Sequence, residues 1–156
     1  MKRTTFLLVI AAFFVLSASA AVRGDDVMYV GGTFATIAEK TEGRLDSSKQ
    51  SHLVFNAKGG SISIPYKGIN SIEYGQKAGR RVGVALAVSP VALFSKKRKH
   101  YVSLGFTDDS GTKQGVVFEV AKGRVGSLVT NLEANSGKKV EFESEDAKKH
   151  FDKEAK

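Results

Sequence analysis

Short apolar runs with a two-residue period, cut by turns that carry glycine or proline, recur along this chain and restrict it to a sheet. Residues 52–57 (HLVFNA), the turn Lys58-Gly59-Gly60 and residues 61–64 (SISI) predict a hairpin with Ile62 and Ile64 on one face. Pro65-Tyr66-Lys67-Gly68 then interrupts the ladder, because proline has no N–H to donate, and residues 69–74 (INSIEY) resume it. Upstream, residues 27–37 (VMYVGGTFATI) read as a strand with a bulge or bend at Gly31-Gly32, residues 40–43 as a turn, and residues 43–46 as a weak strand. Downstream, residues 101–107 (YVSLGFT), the turn 108–111 (DDSG) and residues 114–120 (QGVVFEV) form the clearest hairpin in the sequence.

After residue 120 the period changes. Val125, Leu128, Val129 and Leu132 fall at i, i+3, i+4 and i+7, which predicts an amphipathic helix over about 121–135. Gly137 suits the left-handed residue that ends a helix, and Lys138-Lys139 complement the negative end of its dipole. Residues 140–142 (VEF) suit a last short extended piece, and 144–156 read as a charged, flexible tail, solvated and either partly helical or disordered. The expected fold is therefore mainly β with a C-terminal helix: a bent antiparallel barrel or sheet, capped by one amphipathic helix.

The N-terminus reads as a leader. Lys2 and Arg3 precede an uncharged apolar run at 6–16, and Ala18-Ser19-Ala20 offers a cleavage site, so residues 1–20 are expected to be a signal peptide and the protein to be exported to the periplasm, envelope or exterior. With no cysteine in the chain, the single domain expected at 21–143 must hold through its core alone.

Charge is concentrated rather than spread. Of 24 basic residues, removing Lys2 and Arg3 leaves 22 against 16 acidic ones, a net of +6. Between Glu73 and Asp108 lie Lys77, Arg80, Arg81, Lys96, Lys97, Arg98 and Lys99 without one acid. Arg80, Arg81, Lys96, Lys97, Arg98 and Lys99 are the candidate residues for an acidic partner. They bracket an apolar insert at 82–95. In it Val82, Val84, Leu86 and Val88 alternate with Gly83, Ala85 and Ala87, and Ser89-Pro90 suits the start of a short helix through Val91, Leu93 and Phe94. As a helix, residues 82–94 would rise about 20 Å, short of the roughly 30 Å hydrocarbon core. Two readings stand: the insert fills a core, or Val84, Leu86, Val88, Val91, Leu93 and Phe94 form a docking loop that dips into a membrane among anionic headgroups.

The run IPYKGINSIEYG, the basic KKRKHYVSLGFTDDSG, VVFEV and LEANSGKKVEF together resemble bacterial pleckstrin-homology-like (GRAM-like) domains, in the manner of uncharacterised secreted bacterial proteins, over about residues 50–143. The resemblance implies a seven-stranded bent barrel capped by a helix, used in that superfamily to bind phospholipid headgroups or peptide segments.

Nothing in the sequence assembles a reaction. His52, His100 and His150 stand far apart, no G-x-S-x-G or Walker-type motif occurs, and no metal or cofactor is expected. The expected function is a non-enzymatic exported binding module, its basic patch contacting an anionic membrane surface or an acidic protein or glycan. The alternative is a structural or assembly subunit of the envelope that docks, or self-associates, through residues 82–94. Nucleic acid is not an expected partner, because the basic run lacks interleaved aromatic residues beyond Tyr101.

Overall fold

The computed structural model describes residues 26–76 and 99–154. They form eight strands and two helices: β1 (Asp26–Gly32), β2 (Thr41–Asp46), β3 (His52–Ala57), β4 (Gly60–Pro65), β5 (Ile69–Gly75), β6 (His100–Thr107), β7 (Lys113–Val120), α1 (Val125–Ser136), β8 (Val140–Phe142) and α2 (Glu145–Glu154). All strands belong to one sheet in the order β4-β3-β2-β1-β7-β6-β5-β8. The protein is thus mainly β with a C-terminal helix. The sheet is open and mixed, since β5 and β8 pair in parallel while the other pairs are antiparallel. Among the described residues no helix is long and apolar enough to cross a membrane.

Local chemistry places most strand ends. Gly31-Gly32 bring the expected irregularity, a register shift against β7 between Tyr29 and Gly31. Pro65 leads into a 3-10 turn at Tyr66–Gly68, and here the expected ladder changes course. The chain does not resume beside β4. It crosses to the far end of the sheet, where β5 pairs with β6.

The β6–β7 hairpin is organised by Asp108. Its Oδ1 accepts hydrogen bonds from the Ser110 N–H (2.9 Å), the Ser110 hydroxyl (2.6 Å) and the Thr112 N–H (2.9 Å), while Oδ2 accepts from Gln114 Nε2 (2.9 Å). Gly111 closes the turn in the left-handed region at φ 84°, where a side chain would be strained. The Ser110 hydroxyl first, and then Gln114, hold the Asp108 carboxyl at about 2, below its ordinary 3.8. A carboxylate lowered on folding adds stability above its unfolded value, and that stability disappears as pH falls through the folded one. Asp108→Ala is therefore expected to lower Tm by a few degrees at neutral pH, and the gap from the parent should close between about pH 4 and 2. Thermal unfolding across that range checks it. A gap independent of pH would mean that the charge of Asp108 is not what holds the turn.

Alternation divides the sheet into two faces. Leu53, Phe55, Ile62, Ile64, Ile72, Tyr74, Val102, Leu104, Phe106, Val116 and Phe118 point into one core, which Val125, Val129 and Leu132 of α1 cover. Tyr66 donates its hydroxyl to Asn131 Oδ1 (3.0 Å) and so ties the 3-10 turn to α1. Gly137, at φ 71°, ends α1 as its sequence position suggests, its N–H bonded to the Glu133 carbonyl (2.9 Å).

The last segment takes the helical form and packs against the fold. Ser144 caps α2 by accepting the Ala147 N–H (3.2 Å), and Glu145 and Asp146 occupy the first turn, where negative charge suits the dipole. Ala147 is buried, and Phe151 packs at 5.4 Å from the Tyr74 ring and 5.3 Å from Phe142. Two helices rather than one therefore lie over the core.

Candidate functional site

At one end of the sheet, Val27 of β1 pairs with Val120 of β7, which pairs in turn with His100 at the start of β6. From Val120 the chain turns through Gly123 and enters α1 at Val125, which folds back over the core face. The helix start and the strand ends do not close on each other. They leave a crevice of about 310 Å³ with Val27, Leu45, Leu53, Val120 and Leu128 as its apolar walls. Ser47, Arg124, Ser127 and Asn131 supply its polar lining.

One wall of the crevice carries a cation, Arg124. Arg124 is the exposed residue at the start of α1, and among the described residues no carboxylate lies within ion-pair distance of it. The first turn of α1 holds no acid and has no side-chain cap, so its free N–H groups add the positive end of the helix dipole. An apolar well with a cationic wall can hold an apolar group joined to an anion.

A larger hollow of about 660 Å³ lies on the opposite face, near the starts of β1 and β2. Its charges are mixed: Arg44 and Lys58 stand among Asp26, Glu42 and Glu119, and Arg44 Nε already reaches Asp26 Oδ1 (3.4 Å). Although it is the bigger of the two, it selects neither sign of ligand.

Of the candidate cations, Arg80, Arg81, Lys96, Lys97 and Arg98 lie outside the described residues, as do Val84, Leu86, Val88, Val91, Leu93 and Phe94. Lys99 is described, and it is engaged. Its Nζ donates to Glu119 Oε2 at 2.7 Å across β6 and β7, and this bond pushes the ammonium above its ordinary value. Most of its charge is thus spent within the fold. Arg124 is the residue that sequence patterning missed. Placing the helix start at 121 put Arg124 inside the helix, whereas Gly123 at φ 81° shows that the chain is still turning there. The sequence signal was Gly123-Arg124 followed by a first turn without an acid.

The fold also gives His52 partners that the sequence hides. Its Nδ1 meets the Ser51 hydroxyl at 2.8 Å and its Nε2 meets Asp109 Oδ2 at 3.2 Å, across 57 residues. These are the three residue types of a hydrolase triad, but the roles of the ring nitrogens are reversed from that template. The Asp109 side chain is 71% exposed, so water competes for the carboxylate that would orient the ring. None of the three residues lines either hollow described above. The trio serves as a polar tie between the loop before β3 and the β6–β7 turn. His100 shares a 2.7 Å hydrogen bond with the Tyr74 hydroxyl inside the fold. Among the described residues, no group of three His, Asp or Glu side chains is placed to hold a metal ion.

The class these features define is an open-sheet, mainly β domain with a helix-walled, cation-bearing crevice. Compared with known proteins, the chain matches no family model and no curated protein.

Proposed function

We propose that the protein is an exported, non-enzymatic binding module that attaches to an anionic membrane surface, taking an apolar part of a lipid into the crevice and holding its charged headgroup at Arg124. The crevice carries this reading, because its apolar walls and its cation meet at the sheet end where the basic run joins β6. The His100–Val120–Val27 register brings the backbone of Lys99 to the same end of the sheet as the crevice, while its side chain reaches Glu119. Its size sits at the lower end of the roughly 300–1,000 Å³ common for small-molecule sites. The pleckstrin-homology-like resemblance of residues 50–143 points the same way.

Flotation with vesicles of phosphatidylglycerol and phosphatidylcholine in equal parts tests it at low salt. The protein is expected to float with these vesicles and not with phosphatidylcholine alone. Near a charged surface each cation contributes about 1 kcal/mol, so the double step in charge of Arg124→Glu should weaken binding by roughly five- to thirtyfold. Neutralising Lys96, Lys97 and Arg98 together should weaken it further and flatten its salt dependence. Equal binding to both vesicle types, or binding indifferent to Arg124→Glu in a folded variant, would sink this reading.

A further inference from the structure

The sheet face away from the core is covered over only half its width. On β2, β3 and β4 that face shows Glu42, Arg44, Asn56, Ser61 and Ser63, all exposed. On β1, β7, β6 and β5 the corresponding positions are Val30, Val117, Tyr101, Ser103 and Glu73, and each is at most 5% exposed. Alternation sets Val117, Tyr101, Ser103 and Glu73 opposite to their core-facing neighbours, and the register places them side by side as Glu73↔Ser103↔Val117 and Tyr101↔Glu119. Val30 sits in the bulge, and neither it nor Val117 nor Tyr101 belongs to the core cluster. Both described helices lie on the other side, where Val125, Val129, Leu132 and Ala147 join the core. The described helices therefore do not account for the burial of this face.

We propose that the outer face of β1, β7, β6 and β5 is the docking surface of the apolar insert at 82–94, which makes the sheet a two-sided core. Three observations select this occupant. First, the 22 residues 77–98 leave β5 and return to β6 at the directly paired positions Gly75 and Tyr101, beside the covered face. A hairpin between adjacent antiparallel strands needs only about two to five residues, so the excess length has another use. Second, the insert supplies what that face lacks, a large apolar surface in Val82, Val84, Leu86 and Val88 with small residues between them. Third, the charges match. Glu73 and Glu119 are the acids that β5 and β7 place on this face; Lys99 engages Glu119, and Arg80 and Arg81 follow Glu73 by only seven and eight residues. A carboxylate held out of water keeps its charge only beside cations or hydrogen-bond donors, and an arginine pair meets that need. Residues 1–25 compete less well, because they join at β1 and Glu73 lies three strands away on β5, about 14 Å across the sheet. The apolar side chains of the insert are thereby consumed in packing, and membrane attachment is left to the crevice and the remaining basic residues.

The chain contains no cysteine, so engineered thiols report cleanly. Ser103→Cys in the full chain is expected to react with a maleimide at least about tenfold more slowly than in urea. Ser103→Cys is then combined in turn with Gly83→Cys, Ala85→Cys, Ala87→Cys and Ala92→Cys under mild oxidation. At least one pair should form an intramolecular disulfide in native protein and not in urea. A parallel set places the second cysteine within residues 21–25. Cross-links confined to that set, or protection of Ser103→Cys without a cross-link to any position in 82–94, would overturn the proposal. Replacing 78–97 by an Asn-Gly turn gives an independent readout. If that variant folds by circular dichroism, its Ser103→Cys should react about tenfold or more faster than in the full chain, and an unchanged rate would also overturn it.

Discussion

Phe55→Ala is expected to remove about 3–5 kcal/mol of stability, a large share of the roughly 5–15 kcal/mol that holds a domain of this size together. Phe55 is fully buried, its ring centre 5.0 Å from that of Phe118 on β7 and 6.3 Å from that of Tyr29 on β1. It therefore reaches from β3 toward strands beyond its pairing partners, across the curved inner face. Gly43 shows how tightly the ring is held: a Cβ at that position would come within 2.6 Å of the Phe55 ring and 2.5 Å of the Asn56 carbonyl oxygen. Truncation would leave a hole that the flanking strands cannot collapse into without breaking their ladders, so the cavity penalty adds to the lost transfer energy. Urea unfolding should show a lower midpoint with little change in slope. A loss below about 1 kcal/mol would mean that the core repacks around Gly43 more freely than this geometry allows.

Leu132→Ala should cost about 2–5 kcal/mol for a different reason. Leu132 is a fully buried contact of α1, one residue from the Asn131 amide that accepts the Tyr66 hydroxyl. Its loss weakens the grip of α1 on the 3-10 turn and on β5, which that helix packs against. Leu128, only half-buried and facing the crevice, is the companion variant, and its truncation should cost clearly less while enlarging the cavity. Urea midpoints rank the two, and a Leu128→Ala penalty equal to that of Leu132→Ala would show that the crevice is closed in solution.

How much of this was written locally in the sequence varies from element to element. β3 matches its pattern residue for residue, and the β6–β7 turn, the bulge at Gly31-Gly32 and the cap at Gly137 follow from short-range chemistry. The pairing of β5 with β8 does not. Three residues, Val140–Phe142, carry too little periodicity to name a partner, and a parallel ladder requires the intervening chain to be placed first. α2 was legible at its start, in Ser144-Glu145-Asp146, but its apolar face is only Ala147 and Phe151. That face becomes informative once Tyr74 and Phe142 are seen to receive the phenyl ring. The site divides in the same way. The basic residues could be counted from composition, whereas the Lys99–Glu119 bond needed the β6–β7 register and the crevice at Arg124 needed the placement of α1.

The strand order has a consequence for biogenesis. β1 through β4 can pair as they emerge, each with its predecessor, but the second edge of β1 is completed only by β7, with Val27 meeting Val120 more than ninety residues later. Throughout synthesis, the half-made sheet thus presents an unpaired edge that carries Tyr29 and Val30, a template for another copy of the chain. The arrival of β7 removes that edge, and the chain's escape from aggregation depends on how soon its last third follows its first.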